Sequence, residues 1–122
     1  MPGLSSQEHL KKARDNSKFA RSLQGSALQH PEWVVVGAFY SALHYINAYL
    51  TSVGLEAGNH SKRMWYVSTI ASLRPIQREY LRLTDKAWKV RYATSNITES
   101  EAQTLLDLDL NHIEANLWPP LP

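Results

Sequence analysis

Three groups of side chains in this 122-residue chain have the types and spacing that chemistry on an anion requires. Tyr40, His44, Asn47 and Thr51 stand four, three and four residues apart, which places them on one face of a helix. Asn59-His60-Ser61-Lys62-Arg63 reads as a loop-to-helix junction, where free backbone N–H groups and the helix dipole favour an anion. His60 and Arg63, three apart on that first turn, can face one phosphate. Arg91-Tyr92 closes a later helix with a cation beside a ring. Each group also has a plainer reading. A histidine on an apolar helix is more often a satisfied core residue than a catalyst. Asn59 is a good N-cap, and an arginine at a helix C-terminus stabilises the dipole there. Basic residues in a first helical turn work against the dipole, so His60, Lys62 and Arg63 gain little from purely structural placement.

A fourth feature, the row Arg78, Arg82, Lys86 and Lys89, suits a phosphate backbone, but Glu79 and Asp85 interrupt its surroundings, which favours a solvated face. The Trp118-Pro119-Pro120-Leu121-Pro122 tail has the composition of an extended polyproline segment and equally that of an ordinary terminus. Metal binding has no support: there is no cysteine, no HxxxH and no HExxH. Neither a phosphate-binding GxxxxGK[ST] loop nor a GxSxG elbow is present, and no cofactor is expected.

The element that must position these groups is Glu32–Leu50. From Trp33 to Leu50 it carries no formal charge, and its apolar residues surround the whole helical circumference, the pattern of a buried central helix. About 18 uncharged residues reach the minimum for a membrane span. His44, Asn47, Ser41 and three tyrosines within it, and flanks that are not basic, argue for a soluble core helix instead. Its polar stripe then needs partners, because an unpaired buried polar group costs about 1–3 kcal/mol.

Four other helices are expected around it. The first opens on the capping box Ser5-Ser6-Gln7-Glu8 and presents Leu10, Ala13, Ser17, Ala20 and Leu23 on one face, with Gly25 near its end. The central helix opens near Pro31 and closes at Gly54. A third helix covers His60–Leu73 behind Asn59, broken by Arg74-Pro75. A fourth covers Pro75–Tyr92 with Ile76, Tyr80, Leu83, Ala87 and Val90 inward. After a turn at Thr94-Ser95-Asn96, Thr98-Glu99-Ser100-Glu101 caps a fifth, running through Leu105, Leu106, Leu108 and Ile113 to Leu117. The fold class is all-α. Residues 1–117 read as a single domain and 118–122 as an extended tail.

Charge is unevenly placed. All 13 Lys and Arg lie at or before Arg91, giving that part a net +7, whereas the remainder carries five acids and is −5. Such a division points either to an anionic partner or to internal complementarity. The charged N-terminus, without an apolar h-region, makes a cytoplasmic protein the expectation.

The order AFYSALHYINAYL, a glycine-bearing loop into NHSKR, YLRLTDKAWKVRY and a capped acidic helix resembles the HEPN superfamily across Glu32–Leu117. The helices read from the residues make a bundle of four long helices plus one shorter helix, and the resemblance implies that the bundle is antiparallel and up-and-down. The resemblance also implies frequent homodimerisation and association with RNA or nucleotides; no membrane is expected, on the polar groups within the central helix. Many members are ribonuclease toxins or inactive relatives in toxin-antitoxin or defence systems, encoded beside a nucleotidyltransferase-like partner. One departure matters: the ribonuclease members use an arginine, four to six residues, then a histidine, and none of His9, His30, His44, His60 or His112 follows an arginine at that distance.

The expectation is therefore an RNA- or nucleotide-binding domain whose site gathers Tyr40, His44, Asn59, His60, Arg63, Arg91 and Tyr92. Two alternatives stand beside it. One is a metal-independent ribonuclease with a rearranged set, His60 and Arg63 being catalytic. The other is a protein-interaction, antitoxin-like module with an apolar patch at Trp65, Trp88 or Trp118.

Overall fold

A computed structural model of the chain describes residues 3–23, 30–92 and 96–117. Gly25, Thr94, Ser95 and the Trp118–Pro122 tail lie outside the described residues. Every regular element among the described residues is helical: α1 Ser6–Ser22, α2 Pro31–Ser52, α3 His60–Thr69, a 3₁₀ segment Ala71–Ile76, α4 Gln77–Tyr92, α5 Glu99–Thr104, a π-helical segment Leu105–Leu110, and α6 Asn111–Leu117. None of these helices is long and apolar enough to cross a membrane.

Local chemistry sets most of the boundaries. Ser5 and Glu8 form a reciprocal capping box at α1, and Thr98 and Glu101 form another at α5. Asn59 caps α3 by accepting from the Lys62 N–H at 2.8 Å. Pro31 takes the first turn of α2. At its other end Leu55 N–H reaches the Leu50 carbonyl at 2.8 Å and Gly54 N–H reaches Thr51 at 3.1 Å. Gly54 sits at φ 82°, so this is a Schellman stop that needs glycine's left-handed freedom. The third helix is shorter than its sequence suggests. It ends at Thr69, not Leu73, because Ile70 turns extended and the chain tightens into the 3₁₀ segment that contains Pro75.

α2 is the centre. Val34, Val35, Ala38, Phe39, Ala42, Tyr45, Ile46, Ala48 and Leu50 are all buried on it, and α1, α4, α5, the π segment and α6 pack around it. α1 runs antiparallel along α2: Ser6 Oγ donates to the Ala48 carbonyl at 2.9 Å, and Ser41 Oγ donates to the Ala13 carbonyl at 2.7 Å. Further along, Gly37 lies against Ala20. Glu114 on α6 accepts from Tyr45 Oη at 2.8 Å and Ser17 Oγ at 3.2 Å and pairs with Arg21, which ties α6 to both α1 and α2. Burial, then the Glu114 carboxylate, pushes the Tyr45 hydroxyl far up and keeps it a donor.

The π segment alters the inward set of the last helix. Leu108 is exposed, while Asp109 is buried and takes a bidentate pair from Arg82 at 2.8 and 2.9 Å. A buried carboxylate here is tolerable because both its oxygens are satisfied.

Gly37 costs helix propensity of about 1 kcal/mol relative to alanine, so close approach of α1 is what it supplies. A Cβ there would stand 3.1 Å from Ala20 Cβ and 3.2 Å from Phe19 Cδ2. Gly37→Leu is expected to lower unfolding free energy by about 1–3 kcal/mol in urea melts through overpacking. A stability equal to or above the parent's would show that α1 and α2 are not in close contact at this point.

Candidate functional site

The polar stripe on α2 is met by a different element at each step. Tyr40 Oη accepts from Arg91 Nη1 at 3.0 Å, His44 Nδ1 lies 3.0 Å from His9 Nδ1, and Asn47 Oδ1 accepts from Arg63 Nε at 3.0 Å. These contacts draw α4, α1 and α3 in turn onto one side of the central helix.

Between α2, α3 and α4 lies a cleft of about 490 Å³. Phe39, Tyr40 and Leu43 form one wall, His60, Arg63 and Met64 a second, and Leu81, Thr84, Asp85, Trp88 and Arg91 the third. Four of the residues expected at a site, Tyr40, His60, Arg63 and Arg91, therefore line one cavity. The other three do not line it. His44 is turned to His9, and Asn59 spends its side-chain oxygen on the helix cap. Tyr92 is two-thirds exposed and stacks outside, against Arg91 and Trp88.

The two arginines of the cleft are held in unlike ways. Arg91 Cζ lies 5.3, 5.7 and 5.1 Å from the Phe39, Tyr40 and Tyr92 ring centres, a cage of π faces around a cation. Its Nε donates to the Ala87 carbonyl at 3.0 Å. Arg63 is only 8% exposed; its Nε is spent on Asn47, its guanidinium also interacts with Tyr80, and among the described residues it forms no ion pair. A guanidinium presents five N–H donors, more than these two neutral partners use. Tyr80 is fully buried; burial raises its pKa and the Arg63 charge opposes that rise.

The basic row on α4 has another fate. Arg82 pairs with Asp109, Lys86 with Glu101 at 3.6 Å, and Lys89 with Asp85 at 3.0 Å. With Arg21 on Glu114, the acidic last segment is matched by basic residues of the body. Internal complementarity accounts for three of the four residues of this row, Arg78 forming no ion pair among the described residues. The two cations that line the cleft, Arg63 and Arg91, have no carboxylate partner among the described residues.

Trp88 is expected from sequence only in an apolar patch and Asp85 only as an interruption of the basic row, yet Leu81, Thr84, Asp85, Trp88 and Arg91 follow helical spacing on the face of α4 that adjoins Tyr80, Leu83 and Ala87. No sequence signal points to His9, whose partner His44 is 35 positions away. Among the described residues no cluster of three potential metal ligands exists.

Neither a protein-family model nor a curated protein matches this chain.

The His9–His44 contact has a measurable consequence. Burial first, then the His9, Lys12 and Arg63 charges, pull the His44 imidazole down to about 4; burial and then Arg63 also lower His9. Below pH 6.5 the unfolded chain binds protons that the folded one refuses. Stability is therefore full above about pH 6.5 and falls as pH drops from there towards 4. Thermal melts across that window are expected to show this slope, and His44→Phe is expected to flatten it. A parent melting temperature that stays constant through the window would mean the imidazoles are not depressed.

Proposed function

We propose that this chain is a HEPN-like domain that binds RNA or a nucleotide in the cleft between α2, α3 and α4. The observation that carries the reading is Arg63, a buried cation with no carboxylate partner among the described residues, lining a cavity walled in part by aromatic rings. An uncompensated buried charge is expensive, so a fold that keeps one gains from an anion that completes it. Phosphate is the anion that suits a guanidinium fork, and flat apolar walls suit a base. Trp88, 55% exposed, and Tyr40 supply those walls, with Arg91 already stacked among rings.

The same reading extends to an antiparallel up-and-down helical bundle, a homodimer in solution, and a place in a toxin-antitoxin or defence system beside a nucleotidyltransferase-like protein. The antiparallel α1–α2 pair supports the first of these. The ribonuclease alternative is supported by His60 and Arg63 lining the same cleft, which puts a candidate base and a phosphate-binding cation around one ligand. Exposed Trp65 and Trp88 support the interaction-module alternative.

Binding of a labelled single-stranded RNA at several salt concentrations tests the assignment. Two phosphate contacts, at Arg63 and Arg91, give a slope of log K on log salt of about −1.4. Trp88→Ala is expected to weaken binding by about fivefold to a hundredfold, the equivalent of ~1–3 kcal/mol of stacking, with the helical spectrum unchanged. Cleavage lost in His60→Ala would make the protein a ribonuclease. Absence of both binding and cleavage overturns the proposal in favour of the interaction module.

A further inference from the structure

We propose that the His9–His44 pair acts as a proton acceptor for the anion site, so that a ligand bound at Arg63 is taken up together with a proton. This rests on the reading of the cleft as a phosphate-binding site and names how that site is regulated.

Geometry makes the coupling. Arg63 lines the cleft and also a smaller cavity of about 170 Å³, whose other residues include His9, Asn47, Thr51 and Glu56. One guanidinium thus stands between the ligand cleft and the imidazole pair. The pair itself has Nδ1 atoms 3.0 Å apart and ring centres 5.3 Å apart. Such a contact requires one Nδ1–H donor and one Nδ1 lone pair, so the second nitrogen of the donor ring is the acceptor that stays open. A proton arriving there turns the donor into an imidazolium and leaves the Nδ1–H···Nδ1 bond in place, now charge-assisted. A second proton would set two N–H groups against each other. The pair therefore accepts one proton without losing its contact.

Burial opposes that proton first, and the charges around the pair are of both signs. Lys12 and Glu8 face it from α1, Glu56 from the α2–α3 loop and Arg63 from α3; α2 contributes only His44 itself. Arg63 and Lys12 disfavour protonation, whereas Glu8 and Glu56 favour it. A phosphodiester on the Arg63 terminal nitrogens offsets the cation that faces both imidazoles. Linkage then works in both directions: the anion raises the pair's proton affinity, and the protonated pair raises the anion's affinity. With one proton exchanged, the gain is at most tenfold per pH unit.

The test uses the full chain and oligouridylate without terminal phosphates, which carries no group titrating between about pH 5 and 8, the window where unperturbed imidazole changes charge. Titration calorimetry in two buffers of different ionisation enthalpy reads proton uptake, and NMR reads the two imidazoles with and without ligand. The expected result is a fractional to single proton taken up, an upward shift of the His9–His44 titration on binding, and an affinity that rises several-fold from pH 7.5 to pH 5.5. In His9→Gln, which keeps an amide partner for His44, proton uptake falls and the pH dependence flattens, while affinity at pH 7.5 is retained. Binding without proton uptake and without an imidazole shift overturns the coupling. The same titration with inorganic sulfate separates the two readings. If the oligomer fails to bind, the nucleotide assignment fails. A shift with sulfate would still support the link between Arg63 and the histidines, and an unmoved pair there overturns it.

Discussion

A central helix packed against neighbours over most of its circumference dictates the remainder of this structure. α2 is enclosed by α1, α4, α5, the π segment and α6, and much of its length is apolar all round. Tyr40, His44 and Asn47 interrupt it, and each finds a partner in another helix that replaces part of the water packing removes. Arg91, His9 and Arg63 answer them. Three polar contacts thus fix where α4, α1 and α3 meet the central helix. Two of the three answering groups are cations, so the arrangement that satisfies the core also places positive charge around a cavity.

Charge economy explains why those two cations are distinctive. Surface pairs such as Lys11–Asp15 and Lys89–Asp85 contribute little to stability. The pairing of Arg82 with buried Asp109 and of Arg21 with Glu114 joins the basic body to the acidic last helix, which offsets part of the imbalance along the chain. Arg63 and Arg91 stand apart from that network. Asn47 orients the one and aromatic faces hold the other, neutral partners that position a guanidinium without cancelling its charge. An anion in the cleft would meet a full positive charge in a setting of reduced dielectric, where it counts for more than on the surface.

The start of α3 shows the same economy locally. Its first turn is basic and works against the helix dipole, and Asn59 offsets part of that through its cap. Lys62 finds a π face on Tyr66, and Arg63 turns inward to Asn47. The unfavourable sequence at this helix end is the one that delivers Arg63 to the cleft.

Sequence alone determined what depends on neighbours within a few residues. Capping boxes, the Pro31 opening, the Gly54 stop, the buried centre and the inward faces of α1 and α4 follow from propensity and periodicity, which are local. It also named Tyr40, His60, Arg63 and Arg91, because polar groups on an apolar helix and cations at helix ends stand out in one dimension. Only the tertiary structure decided which of these share a cavity, since His44 and Asn59 are consumed by partners that no spacing rule reveals. Tertiary packing likewise ended α3 at Thr69, turned Asp109 inward beneath Arg82 with Leu108 outward, and brought His9 to His44. The physical reason is common to all of them. Hydrogen bonds and ion pairs between helices depend on where two helix faces meet, and that position is set by packing the whole core.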